Sequence, residues 1–411
     1  VCRGKYQLAE RPVLINNWEA TYFDFNEKKI LKIAKSAAKL GVDMLVLDDG
    51  WFGKRNSDTS GLGDWFVNEN KLKGGLSMLA DKINDLGMKL GIWFEPEMVS
   101  EDSHLYRAHP DWAIAIPDRK PMRGRFQLVL DMSRREVQDY LFIAISNILD
   151  NANISYIKWD MNRSISDLYS HALPAERQGE LSHRYILGLY SLLERLIQKY
   201  PNVLFEGCSG GGGRFDAGML YYCPQIWCSD DTDAFERTKI QYGTSFIYPI
   251  SAVGSHVSVV PNHQTGRITP LETRAVTAMA GSFGYELDLG LLTDEEKTAV
   301  ADQIRRFKNF DTLIHNGSYY RLTNPMNGNR AFWSYVSDDR SEALVHGMIY
   351  HVPANMKRSA LRLSGLDENS LYSISGTKET YSGAALMNGG ILLPMPWGDY
   401  TPVEIHLKKV K

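Results

Sequence analysis

From residue 13 to about residue 325, short apolar runs alternate with stretches whose apolar residues recur at helical spacing. Val13–Asn17 closes on a polar pair, and Glu27–Leu40 predicts a helix stopped by Gly41. Met44–Leu47 runs into Asp48-Asp49-Gly50. Ser77–Leu86 predicts a helix ended by Gly87, and Leu90–Phe94 runs into Glu95-Pro96-Glu97. Leu128–Leu130 leads to Asp131, and Ser133 with Glu136 three residues on predicts a capped helix toward Asn151. A strand from Tyr156 to Asp160 precedes a long helix around His183–Lys199. Val203–Phe205 then leads to Glu206, and Ile226–Cys228 to Asp230-Asp231-Thr232-Asp233, where Thr232 or Asp233 would cap the next helix. For the eighth strand, Ile250–His256 is preferred to Phe283–Leu287.

Repeated strand-then-helix units predict parallel strands joined by right-handed crossovers, and eight of them fit a (β/α)8 barrel of the α/β class. The polar residues follow the apolar runs, at the carboxyl ends of the strands, where such barrels place their sites. An open doubly wound sheet is the alternative, but no GxGxxG follows the first strand. From about residue 328 the segments become short, alternating and turn-bounded: Ala331–Val336, Glu342–Met348, Ser359–Leu363 and Tyr372–Ser375. The expected organisation is a lead-in at 1–12, a barrel at 13–326 and a small antiparallel β-sandwich domain at 327–411.

Composition narrows the function. A net charge of -3 offers no basic surface for nucleic acid or an anionic membrane. No apolar run is long enough to span a bilayer, and the first residues are too polar for a signal peptide, so a cytoplasmic protein is expected. The 4 cysteines make neither a disulfide framework nor a zinc-ligand spacing. The 9 Trp and 21 Tyr are the clue, because Trp51, Trp93, Trp159 and Trp227 sit beside strand-end carboxylates. Aromatic faces beside hydrogen-bonding groups suit sugars, although any single Trp also serves to pack a core.

Alternation along a strand points Lys158 and Asp160 to one face. A lysine beside a carboxylate favours the ionised form, which suits Asp160 to attack or to stabilise a cation. A buried Lys158–Asp160 ion pair is the structural alternative. Asp230 and Asp231 compete for a proton-donating role, since two carboxyls with different neighbours take different roles in glycoside cleavage. With Asp233 they also form an oxygen-rich patch, but the EF-hand pattern is absent. Asp48 and Asp49 could clamp a sugar diol, with Gly50 turning the chain to present them. Glu206–Arg214 is glycine-rich and lets backbone approach a ligand, yet no GK[ST] makes it a phosphate loop. Cys208 lies on it, with no histidine placed by sequence to activate the thiol, and reads as pocket wall. The segment holding His256 and Pro261-Asn262-His263-Gln264 could cover the site.

Seven segments in order, NNWEA (Asn16–Ala20), LDDGWF (Leu47–Phe52), GIWFEPEMV (Gly91–Val99), YIKWDMNR (Tyr156–Arg163), EGCSGGGGRFD (Glu206–Asp216), WCSDDTD (Trp227–Asp233) and HVSVVPNHQTGR (His256–Arg267), closely resemble the bacterial retaining α-galactosidases of glycoside hydrolase family 36. The resemblance implies Asp160 as nucleophile and Asp230 as general acid/base. It implies that Asp48 and Asp49 bind the galactose C4 and C6 hydroxyls, that Lys158 and Arg125 bind further ring hydroxyls, and that Cys208 and Gly211 wall the C2 position. It makes Trp18, Trp93 and Trp227 pocket-lining aromatics. The implied activity is hydrolysis of raffinose-type sugars, melibiose and aryl α-galactosides, with no cofactor or metal. An α-N-acetylgalactosaminidase, a galactosyl transferase of this architecture and a non-catalytic galactoside-binding module are the alternatives. Family members carry a β-sandwich domain ahead of the barrel. Here residues 1–12 precede the first predicted strand, so that domain is expected to be absent and a homo-oligomer is left open.

Overall fold

In the computed structural model, which describes residues 5–7 and 9–410, eight strands hydrogen-bond into a closed barrel. They are β1 (Leu14–Asn16), β2 (Met44–Leu47), β3 (Lys89–Phe94), β4 (Ile154–Trp159), β5 (Leu204–Gly207), β6 (Gln225–Trp227), β7 (Val253–Ser258) and β8 (Ser282–Glu286), arranged around the barrel in chain order. Nearly every strand residue is buried, as in parallel strands covered on both faces. Of the lead-in, residues 1–4 and 8 lie outside the described residues, and Lys5–Gln7 form a 3-10 turn.

The helices obey the sequence signals closely where the caps are strong. Helix Glu27–Leu40 starts at Asn26, whose side chain accepts from the Lys29 amide, and stops at Gly41 with φ 91°. It buries Ile30, Ile33, Ala34 and Ala37, a stripe at helical spacing. Asp233 caps helix Ala234–Thr244, accepting from Phe235 and Glu236 amides. Ser133 does not cap the helix Arg135–Asn151; its hydroxyl donates to Asp131, and Arg134 stands at the cap position, its side chain bonded to Asp111 and Glu136 rather than capping the helix.

Two expectations about the strands need correction. Leu128–Leu130 is not a barrel strand: Leu128–Val129 pairs antiparallel with Met98–Val99 in a separate ribbon. Between them stands only the short helix His104–Ala108 and a 3-10 turn, too little for a parallel crossover. The second correction is that both Val253–Ser258 and Ser282–Glu286 enter the barrel, so the two segments offered as rivals are its seventh and eighth strands.

Two compact units make up the chain: one holds Leu14–Trp227 and Glu286–Leu291, the other Cys228–Tyr285 and the chain from Leu292 onward. In the second, a six-stranded antiparallel sheet runs in the order Ser318–Arg321, Arg330–Val336, Glu342–Ile349, Thr401–Lys409, Leu371–Ile374, Thr380–Ser382. Its first strand lies ahead of residue 327, where the sequence placed the start of the β domain. A two-stranded ribbon, Ala360–Leu361 with Ile391–Leu392, shares one core with it through Leu361, Ile391, Phe332, Val345 and Leu407.

Candidate active site

Register decides which side chains meet in the first unit. Leu47 lies opposite Ile92, and Trp93 opposite Lys158. Asp48, Trp93 and Lys158 therefore leave β2, β3 and β4 at one level, and the chain just beyond carries Asp49, Glu95 and Asp160. Gly50, with φ 102°, turns the chain after the two acids, and a Cβ there would press on the Phe23 ring at 3.0 Å.

The Asp160 carboxylate is buried and held on both oxygens. Oδ2 accepts from Trp93 Nε1 at 3.1 Å and from Asn162 Nδ2 at 2.7 Å, while Oδ1 accepts from the Met161 amide at 2.8 Å. Lys158 does not form its ion pair with Asp160. Its Nζ lies 3.1 Å from Asp48 Oδ2, which also accepts from Asn16 Nδ2 at 2.6 Å. Burial alone would lower the Lys158 ammonium. Asp48 outweighs it, with Cys208, Glu286 and Asp160 adding, so Lys158 stays well above its ordinary pKa and keeps its charge. The Trp227 ring centroid is 5.8 Å from the same Nζ.

Asp49 takes a two-pronged contact from Arg55, Nε to Oδ1 at 3.0 Å and Nη2 to Oδ2 at 2.9 Å. Burial pushes this carboxyl upward and the guanidinium opposes it. Arg125 is exposed, and Asp58 lies 3.7 Å from both Arg125 and Arg55. Trp18 is half-buried, its amide donating to Asn16 Oδ1 at 2.8 Å, which sets it beside the Asn16–Asp48 bond. The buried Cys208 donates its amide to Trp159 O at 2.7 Å, and Gly211, with φ 85°, accepts from the Ser209 amide. A cavity of about 360 Å³ opens here, with Met161, Asn162, Ser209, Gly210 and Arg214 on its walls.

Alternation sends Trp159 the opposite way from its neighbours. Its Nε1 donates to Glu97 Oε1, and Arg214 and Tyr185 also meet that carboxylate. Trp51 likewise packs the core, among Phe52, Trp65 and Phe94, and donates to Trp93 O.

Several residues here escaped the sequence reading: Asn16, Arg55, Asn162, Gln127 and Glu95. The one sequence signal was position, since Glu95 and Asn162 each follow a strand end. Glu95 Oε1 accepts from Gln127 Nε2 and the Asn162 amide. Burial, and then the like charge of Asp160, push its carboxyl up to about 8 against the pull of Arg55 and the Asn162 bonds. The folded protein thus keeps a proton that an unfolded chain releases near pH 4.5, so stability falls as pH rises through the window from there to about 8. Glu95→Gln, whose amide oxygen can accept both bonds, should gain on the wild type across that window. The gain has a ceiling of about 1.4 kcal/mol per pH unit. Denaturation midpoints at pH 5 and pH 8 check this; an unchanged difference between the two proteins rejects it.

In the second unit the acids separate. Asp230 is exposed, and its carbonyl accepts from Gln264 Nε2 at 3.0 Å. Asp231 is half-buried and occupied locally, its Oδ1 accepting from the Asp233 amide. Asp233 is a cap and pairs with Arg267 at 2.6 Å.

The chain matches the family described as Melibiase over residues 1–317 and the glycosyl hydrolase family 36 C-terminal domain over residues 330–407. It is 55% identical over 411 residues to the bifunctional alpha-galactosidase/sucrose kinase AgaSK of Mediterraneibacter gnavus, covering 100% of this chain and 43% of that protein. It is 54% identical to alpha-galactosidase AgaA of Geobacillus stearothermophilus, covering 100% of this chain and 56% of that protein. The crystal structure of AgaA superposes with a TM-score of 0.98 over 100% of this chain and 57% of that one. A variant of AgaA in complex with raffinose matches at 53% identity and a TM-score of 0.98, with the same coverage. The chain spans about half the length of these curated relatives.

Proposed function

The chain belongs to the melibiase family, glycoside hydrolase family 36, and from that premise we propose that it acts as a retaining exo-α-galactosidase on raffinose-type oligosaccharides, melibiose and aryl α-galactosides. The observation that carries this is the Asp160 carboxylate, fixed by Trp93 and Asn162 at the strand ends that also present the Asp48–Lys158 pair.

Asp160 attacks the anomeric carbon, forming a C–O ester bond as the bond to the leaving oxygen breaks. Asp230 gives its proton to that oxygen. Now a carboxylate, Asp230 takes a proton from water, whose oxygen attacks the anomeric carbon and releases Asp160. Two inversions keep the α configuration. An exposed Asp230 exchanges its proton with solvent between steps.

Asp48 and Asp49 face the sugar as hydroxyl acceptors. Lone pairs not taken by Asn16, Lys158 and Arg55 are offered to an axial C4 and a C6 hydroxyl, which selects galactose. Lys158 supplies an obligate cationic donor, Arg125 an exposed one, and Trp18, Trp93 and Trp227 apolar faces for the ring. Cys208 and Gly211 leave room at C2 for a hydroxyl.

Proton NMR of the first-formed sugar from an aryl α-galactoside tests the proposal. α-Galactose should appear first and mutarotate later; β-galactose first would mean inversion and remove the ester. Turnover of the matching α-N-acetylgalactosaminide at a comparable rate would reassign the C2 pocket.

A further inference from the structure

We propose that Arg237 is a positioning residue that aims Asp230, by holding the main chain on both sides of it. The inference rests on the acid/base role given to Asp230 above. Arg237 lies on the first turn of helix Ala234–Thr244 and is 2% exposed. Its guanidinium turns back over the loop that precedes the helix. Nη2 donates to Ser229 O at 2.7 Å and Nε to Asp231 O at 2.7 Å, the carbonyls flanking Asp230. Nη1 donates to Gly254 O at 3.1 Å and to Cys228 Sγ, tying the loop to β7.

The carbonyl of Asp230 itself goes to Gln264 Nε2 at 3.0 Å. Three successive carbonyls therefore each meet a side-chain donor, in a stretch outside any helix or strand. The bracing continues one residue on, where Ser258 Oγ donates to Thr232 O at 3.1 Å and Asn262 Nδ2 to Thr232 Oγ1 at 3.0 Å. An exposed acid on a loop would sweep a wide volume. Fixing the peptides before and after it restricts the swing to the side-chain torsions, which is what proton transfer to one leaving oxygen requires. The planar fork of arginine reaches carbonyls on two sides at once, and a lysine ammonium at this position cannot.

A misaimed acid fails in a recognisable way. An acidic phenol leaves almost unaided, whereas a sugar alkoxide needs the proton. The test compares Arg237→Met, Arg237→Lys and Gln264→Leu with Asp230→Gly in the full chain, on raffinose and on p-nitrophenyl α-galactoside, with and without azide. For Arg237→Met, kcat/KM on raffinose should fall about 10²-fold and on the aryl substrate less than about tenfold. Azide should raise aryl turnover and yield α-galactosyl azide, because it opens the ester without needing a base. Arg237→Lys should recover part of the loss, and Gln264→Leu should show a smaller loss in the same direction. Equal losses on both substrates with no azide product, in protein that melts as the wild type does, would overturn the proposal. Should Arg237→Met not fold, the same comparison on the surface variant Gln264→Leu decides it. If Asp230→Gly itself shows no dependence on the leaving group, the acid/base assignment fails first and the inference falls with it.

Discussion

Asp160→Asn should lower turnover of an aryl α-galactoside by roughly 10⁴-fold or more while leaving galactoside binding in place. The amide oxygen can still accept from Trp93 Nε1 and Asn162 Nδ2, so the side chain keeps its orientation. What it loses is the second carboxylate oxygen and with it the lone pair that makes the ester. Its NH2 then faces the Met161 amide, a donor against a donor, which displaces it slightly. Asp160→Gly leaves space for an external nucleophile. With azide it should produce β-galactosyl azide, the opposite anomer to that expected of the Asp230 and Arg237 variants. Steady-state rates and NMR of the azide product read both outcomes. Asp160→Asn within about tenfold of wild type would remove the covalent mechanism.

Glu97→Ala carries the largest expected cost in stability, about 3–5 kcal/mol. Glu97 is fully buried and satisfies three partners at once: the fork of Arg214 at 2.7 and 3.0 Å, Tyr185 OH at 2.6 Å and Trp159 Nε1 at 2.9 Å. Burial, and then the Glu97 carboxylate, hold the Tyr185 hydroxyl well above its ordinary pKa, so it is always the donor. Truncation leaves a guanidinium, a phenol and an indole N–H without their acceptor, and each loses its bond while staying largely out of water. Chemical denaturation of Glu97→Ala gives the number. The double variant Glu97→Ala/Arg214→Met should recover part of the loss, since it removes the stranded charge. A single-variant loss below about 1 kcal/mol would show that the network relaxes onto water instead.

The barrel was legible because its strands are short, buried and apolar, and each ends in a polar residue. Val13–Asn17, Met44–Leu47, Leu90–Phe94 and the segments through Ile226 all carry that mark, and seven of the eight strands coincide with it as first read. Leu128–Leu130 carries the mark too, and misled for that reason. A two-residue ribbon and a barrel strand look alike in a window so short, and only the pairing partner tells them apart. Ser133 is not the cap because the helix begins at Arg135, which puts Arg134 at the cap position and Ser133 one residue ahead of it, its hydroxyl donating to Asp131.

The amino-acid sequence by itself determined the alternation of strands and helices, the change to short antiparallel strands in the last quarter, and the placing of Asp48, Asp49, Lys158 and Asp160 at strand ends. Those follow from local periodicity and from the two-residue repeat of a strand. Only the tertiary structure decided that Lys158 answers Asp48 rather than Asp160, that Asn162 and Trp93 hold Asp160, and that Glu95 keeps a proton beside it. Partner choice of that kind depends on strand order, register and burial. These quantities arise between segments far apart in the chain, where no local pattern records them.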